Sequence, residues 1–147
     1  MLTNDVIDHE IYVAPIRTGL TSYTPTLAQG ASTNIAKTIN TAKYMVVGKT
    51  MYLWIRMFAT GTGSAGSAIT VSIPSGYTIS DTDTYVGSGV YGDSGVGDYI
   101  CMVFAQSSTT LAMIAVTTTN GNRIGVTPAT TVGANDSPNF FAVIPLA

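Results

Sequence analysis

The run Met51-Tyr52-Leu53-Trp54-Ile55-Arg56-Met57-Phe58 constrains this chain more than any other stretch. Read as a strand, it sends Met51, Leu53, Ile55 and Met57 to one face and Tyr52, Trp54, Arg56 and Phe58 to the other. Both faces are then largely apolar. The run is short, is bounded by Gly48 and Gly61, and is rich in aromatics that suit a pleated surface better than a helix turn. Ile69-Thr70-Val71-Ser72-Ile73 alternates apolar and hydroxyl residues with period two, the pattern of a strand with one buried face, and Pro74 stops it. With the glycine-rich loop Gly61–Gly66 between them, the two runs are expected to form a β-hairpin. A strand that is apolar on both sides also asks for a second apolar surface, from another sheet or another subunit.

Upstream, Tyr44–Val47 reads as a strand that Gly48-Lys49 turns back onto the Met51 run. Gln29–Thr41 has the composition of a loop or a weak edge strand, and Tyr23-Thr24-Pro25-Thr26-Leu27 is a short extended piece. Downstream, Ser75–Gly97 alternates Gly, Ser, Asp and Tyr and is expected to be long surface loops or short crossing strands. Asp98–Ala105 and Thr109–Thr118 read as strands, Asn120-Gly121-Asn122 as a turn, and Phe140–Leu146 as a last strand beside earlier ones. About seven or eight strands with Gly and Pro punctuation indicate an all-β fold, an antiparallel β-sandwich or jelly roll. Residues 1–20 form an N-terminal arm, and residues 21–147 a single domain.

The arm holds Val6, Ile7, Ile11, Tyr12, Val13 and Ile16 among polar residues, with Pro15 against a helix. An arm of this composition is expected to pack on its own domain, a neighbour or a larger scaffold, so these six residues are candidate anchors. The start Met1–Asp5 lacks the positive region and apolar middle of a signal peptide, and no run approaches the about 18 to 20 apolar residues of a membrane helix. The expectation is a protein made in the cytoplasm, with no membrane partner.

Charged residues are 10% of the 147, against about 25% in ordinary soluble domains, while hydrophobic residues are 46%. Either Ser, Thr, Asn and Gly clothe the surface, or contacts with other chains hide part of it. A net charge of −2 with scattered Lys and Arg argues against nucleic acid. The single cysteine, Cys101, lies in an apolar run and reads as a buried small side chain.

Little supports catalysis. His9 is the lone histidine, and Asp8 and Glu10 beside it cannot converge with it on a metal from a strand. Asp81, Asp83, Asp93 and Asp98 lack the spacing of a calcium loop and read as turn-capping, solvated residues. Gly61–Gly66 lacks the lysine of a phosphate-binding loop. No catalytic, cofactor or metal site is expected. The face of Tyr52, Trp54, Arg56 and Phe58 is either a second core face or a subunit interface, and Arg56, awkward in a dry core, tips the balance toward an interface near a symmetry axis. Tyr77, Tyr85 and Tyr91 form a candidate exposed recognition loop able to stack on sugars.

Tyr23-Thr24-Pro25-Thr26-Leu27, Lys43-Tyr44, Val47-Gly48-Lys49-Thr50, Gly61-Thr62-Gly63 and Ser72-Ile73-Pro74 together resemble a module of tailed-phage and prophage virion proteins. In that module a Tyr-Thr-Pro-Thr-Leu box precedes an Arg-Tyr, a Gly-Lys-Thr-Val and a Gly-rich loop before a Ser-Leu-Pro. Here Lys43 stands for the arginine, Met51 for the valine and Ile73 for the leucine. The resemblance covers Tyr23–Pro74, about a third of the chain. It implies a β-rich homotrimer on the virion exterior, a capsid decoration (cement) or head-fibre protein bound to the major capsid protein, or else a glycan-binding tail-fibre or spike module contacting the host surface. The short arm before Tyr23 favours the compact head protein.

Overall fold

Nine strands, all paired antiparallel, make up a computed structural model that describes residues 19–116 and 122–147. In chain order they are β1 (Thr21–Ser22), β2 (Leu27–Gln29), β3 (Lys37–Val47), β4 (Thr50–Ala59), β5 (Ile69–Ser72), β6 (Tyr85–Asp93), β7 (Gly97–Ala105), β8 (Thr110–Ala115) and β9 (Ser137–Pro145). No helix occurs among the described residues. The chain is all-β, and its strands form one sheet in the order β1-β3-β4-β9-β6-β7-β8-β5-β2.

That order places β1 and β2 at opposite ends of the sheet, yet only Tyr23–Thr26 separates them in the chain. Laid flat, nine strands would spread their ends about 38 Å apart at about 4.8 Å per strand. Five residue steps, from Ser22 to Leu27, reach at most about 18 Å. The sheet must therefore curl until its ends meet. Tyr23 holds the seam from both sides, its amide donating to Ala42 O of β3 at 3.0 Å and its hydroxyl to Ser72 O of β5 at 3.0 Å. Thr26 and Ser72 add two more bonds, Ser72 N to Thr26 O at 3.0 Å and Thr26 N to Ser72 Oγ at 2.9 Å.

The interior of the curl is the core. Met51, Leu53, Ile55, Met57 and Ala59 of β4 are buried, as are Phe140, Ala142 and Ile144 of β9 and Leu111, Met113 and Ala115 of β8. Cys101 of β7 is buried among them. The inward half of the β4 alternation is thus the half read from the sequence.

The hairpin expected between the Met51 and Ile69 runs does not form. β4 pairs with β3 and β9, while β5 pairs with β8 and β2. The loop between them is tethered instead of turned back: Gly63 N donates to Val132 O at 2.8 Å, and Gly63 lies so close to the Gln29 side chain that a Cβ there would overlap it. The shorter hairpin is present, with Val47 opposite Thr50 and Gly48 at φ +58° in the two-residue turn. β3 reaches back to Lys37, so the end of the segment read as loop or weak edge strand belongs to a long strand that the two-residue β1 covers only at Lys43 and Tyr44.

Tyr85–Asp93, in the stretch expected to be long surface loops or short crossing strands, is a nine-residue strand between β9 and β7. Its glycines are structural. A Cβ on Gly89 would lie 2.7 Å from the Cα of Phe140, and one on Gly87 2.8 Å from the Cα of Ala142. β6 and β9 approach so closely at Gly87 and Gly89 that no side chain fits at these two positions, while two residues further on Tyr91 is accommodated inside.

Candidate interaction surface

The outward half of the β4 alternation stays together. Tyr52, Trp54 and Phe58 are half-buried and Arg56 is exposed, all on the outer side of the strand. The strands beside β4 extend this face, and their register lines it up in rows. One row runs Lys43–Trp54–Phe141–Ser88–Met102 across β3, β4, β9, β6 and β7. A second runs Thr41–Arg56–Asn139–Val90–Ile100 across the same strands, and a third Met45–Tyr52–Val143. Phe141 is 37% exposed, Val143 39% and Ile100 71%. A sheet face this apolar with nothing packed over it among the described residues is a candidate site of interaction.

Aromatic contacts pre-form the centre of the face. The Trp54 and Phe141 rings lie 5.1 Å apart at 48°, a cross-strand pair of the kind that stabilises sheets. The Arg56 guanidinium carbon sits 5.9 Å from the Phe58 ring centroid, a cation–π contact. Between Trp54, Phe141 and Val90 lies an open recess of about 460 Å³, with Arg56, Ser88 and Asn139 at its edge. Lys43 and Arg56 are the only charged side chains in the three rows, and both are positive. A partner surface that carries apolar groups and a carboxyl group matches this arrangement.

The other sequence-derived candidates are scattered. Val6, Ile7, Ile11, Tyr12, Val13 and Ile16 lie outside the described residues, as do His9, Asp8 and Glu10. Of the tyrosines expected on an exposed loop, Tyr85 is 56% exposed but begins β6 and packs its ring 5.6 Å from Phe104. Tyr77 is half-buried against Tyr44, with ring centroids 5.7 Å apart. Tyr91 is a correction. It is fully buried, because β6 turns it inward, and its hydroxyl donates to Asp136 at 3.0 Å. It cannot meet a ligand in solvent.

Two buried polar residues escaped sequence reasoning. The Asp136 carboxyl accepts from Tyr91 Oη, from Ser94 N at 2.8 Å and from Gly133 N at 2.8 Å. The Gln29 amide is likewise fully used, its nitrogen donating to Thr130 O at 2.7 Å and Ser67 O at 3.1 Å while its oxygen accepts from Val132 N at 2.9 Å. Both tie the loop before β9 to distant strands, and each has its polar atoms satisfied inside the protein. They are structural pins. Asp81 and Asp83 are exposed, and Asp93 accepts from Thr130 Oγ1 at 2.7 Å. Among the described residues no three His, Cys, Asp or Glu side chains come together to hold a metal ion.

Phe141 and Val143 were legible in principle. Phe140-Phe141-Ala142-Val143 has apolar residues on both faces, the same signal as the Met51 run, and two such strands belong side by side. No family, no curated protein and no solved structure matches this chain.

Proposed function

We propose that this chain is a non-enzymatic structural protein of a phage particle that decorates the outside of the capsid as a homotrimer. In this reading the curled sheet is a sandwich of the jelly-roll type, and copies join through the outer face centred on Trp54 and Phe141. The observation that carries the proposal is that face: rows of half-exposed aromatic and aliphatic residues across five strands, on a chain with only 10% charged residues. The resemblance over Tyr23–Pro74 supplies the virion context and the trimer. The arm, through Val6, Ile7, Ile11, Tyr12, Val13 and Ile16, is the proposed anchor on the major capsid protein, and three arms acting together give multivalent attachment.

Sedimentation of the purified chain, followed by co-sedimentation with shells lacking it, tests the reading. A trimer that pellets with shells, becomes monomeric on Trp54→Ala with Phe141→Ala, and stops pelleting when residues 1–18 are removed is the expected result. A wild-type chain that is monomeric at micromolar concentration and ignores shells would overturn it. The tail-fibre alternative, with a glycan held by the tyrosine loop, loses one of its three tyrosines to burial.

A further inference from the structure

A second concavity lies at the seam, away from the outer face. Its volume is about 820 Å³, within the range of small-ligand sites, and it shares no lining residue with the recess beside Trp54. Three tyrosines form one wall. Tyr44 stands between the others in T-shaped contacts, 5.8 Å from Tyr23 at 88° and 5.7 Å from Tyr77 at 72°. Ser75 and Thr109 line the groove from the far end of the sheet and Thr24 from the linker.

The lining chemistry is unusually uniform. Nine of the twelve lining residues carry a hydroxyl, and none carries a charge. Tyr23 Oη and Ser72 Oγ are committed to the seam. The hydroxyls of Ser22, Thr24, Thr26, Ser75 and Thr109 remain to meet a ligand, beside the Tyr44 and Tyr77 phenols, which interact with each other, and each can donate and accept. Burial and the neighbouring Tyr77 hold the Tyr44 phenol above its ordinary range, so it stays neutral. Rigid amphipathic rings beside small hydroxyls are the composition by which adaptable binding sites recognise polar ligands.

We infer that this groove binds a neutral oligosaccharide, with the Tyr77 ring against the apolar face of a sugar ring and the flanking hydroxyls bonded to those of the sugar. An anionic ligand would enter without a cation to meet it. An aliphatic one would strip water from the hydroxyls and leave them unpaired. The inference stands apart from the assembly proposed above, and Tyr77 is the only residue it shares with the tyrosine-loop expectation.

Calorimetric titration of the full chain tests it, using neutral oligosaccharides of glucose, mannose, galactose and N-acetylglucosamine, with sialylated and sulfated oligosaccharides alongside. At least one neutral sugar should bind. Tyr77→Ala should weaken that binding about tenfold or more, while Tyr77→Phe stays within about threefold and Tyr85→Ala leaves it unchanged. Should Tyr77→Ala fail to fold, Ser75→Tyr, which fills the groove from its rim, should abolish binding with the melting temperature retained. Binding of acidic sugars alone, of no sugar, or of neutral sugars undiminished by either groove variant would overturn the inference.

Discussion

The Tyr23 hydroxyl donates to the carbonyl of Ser72 at 3.0 Å, and that one bond links a residue next to the first strand of the sheet with a strand near its other end. The Tyr23 amide is bonded to Ala42 on β3, so a single side chain and its own backbone span the closure.

Tyr23→Phe removes only the hydroxyl's bond and leaves the ring contact with Tyr44. We expect a loss of about 1 kcal/mol, the usual net worth of such a bond. Tyr23→Ala also removes a half-buried ring and should cost about 3 kcal/mol or more. Urea denaturation of the two variants checks both: an unchanged Tyr23→Phe would refute the hydroxyl's share, and equal losses the ring's.

Asp136 is held by three donors, so Asp136→Ala leaves Tyr91 Oη and two amides without their partner in a buried site. The expected cost is about 3 kcal/mol or more, well above that of Tyr91→Phe, which leaves the two backbone donors in place. A double-mutant cycle on the pair should return a coupling of at least about 0.5 kcal/mol.

Gly89→Ala puts a methyl group against the Cα of Phe140 and must push β6 away from β9. A loss of about 2–3 kcal/mol is expected, with disturbance spreading to the outer-face rows through Ser88 and Val90. Gly133→Ala is the control. The nearest atom to its added Cβ is 3.9 Å away and its φ is not in the left-handed region, so stability should move by less than about 0.5 kcal/mol.

Alkali should unfold the protein in a defined order. Burial pushes the Cys101 thiol up to about 11 from 9.0, and burial lifts the Tyr23 and Tyr91 phenols above their ordinary 10.0, with Asp136 adding to the effect on Tyr91. Each group keeps its proton in the folded state at a pH where the unfolded chain releases it. Above the unfolded value the native state binds more protons, so stability falls as pH rises. It should be unaffected by these groups below about pH 9, decline from there through Cys101, and decline further above about pH 10 as the phenols join. Urea midpoints across this range check the shape, and Cys101→Ala should remove the earlier part of the decline. The same burial should keep Cys101 unreactive toward thiol reagents until the chain unfolds.

Local pattern carried much of this architecture. The two faces of Met51–Phe58, the Gly48-Lys49 turn and the strands around Cys101 follow from period-two alternation and turn chemistry, which act within a few residues. Pairing partners do not act so locally. Nothing in Ile69–Ser72 says that it will lie against Leu27–Gln29 and Thr110–Ala115 instead of the strand before it. Gly87 and Gly89 misled in a different way. Glycine is read as punctuation, yet here it permits a close approach between strands that is visible only once β9 is in place. Tyr91 followed from that misreading, since a residue on a loop and one on the inner face of a strand have opposite access to water. The outer face was half legible: Tyr52, Trp54, Arg56 and Phe58 could be grouped from β4 alone, but Phe141, Val143, Val90 and Ile100 join them only through the register.

β9 occupies the middle of the sheet, between β4 and β6, although it follows every other strand in the chain. On the ribosome, β3–β4 and β6–β7 can close as hairpins as soon as they emerge, but each waits with an unpaired inner edge for Ser137–Pro145 to be synthesised. Until then the nascent sheet is interrupted between β4 and β6, with two open edges that any extended chain can join. A stalled chain lacking β9 would therefore be the form most prone to aggregate.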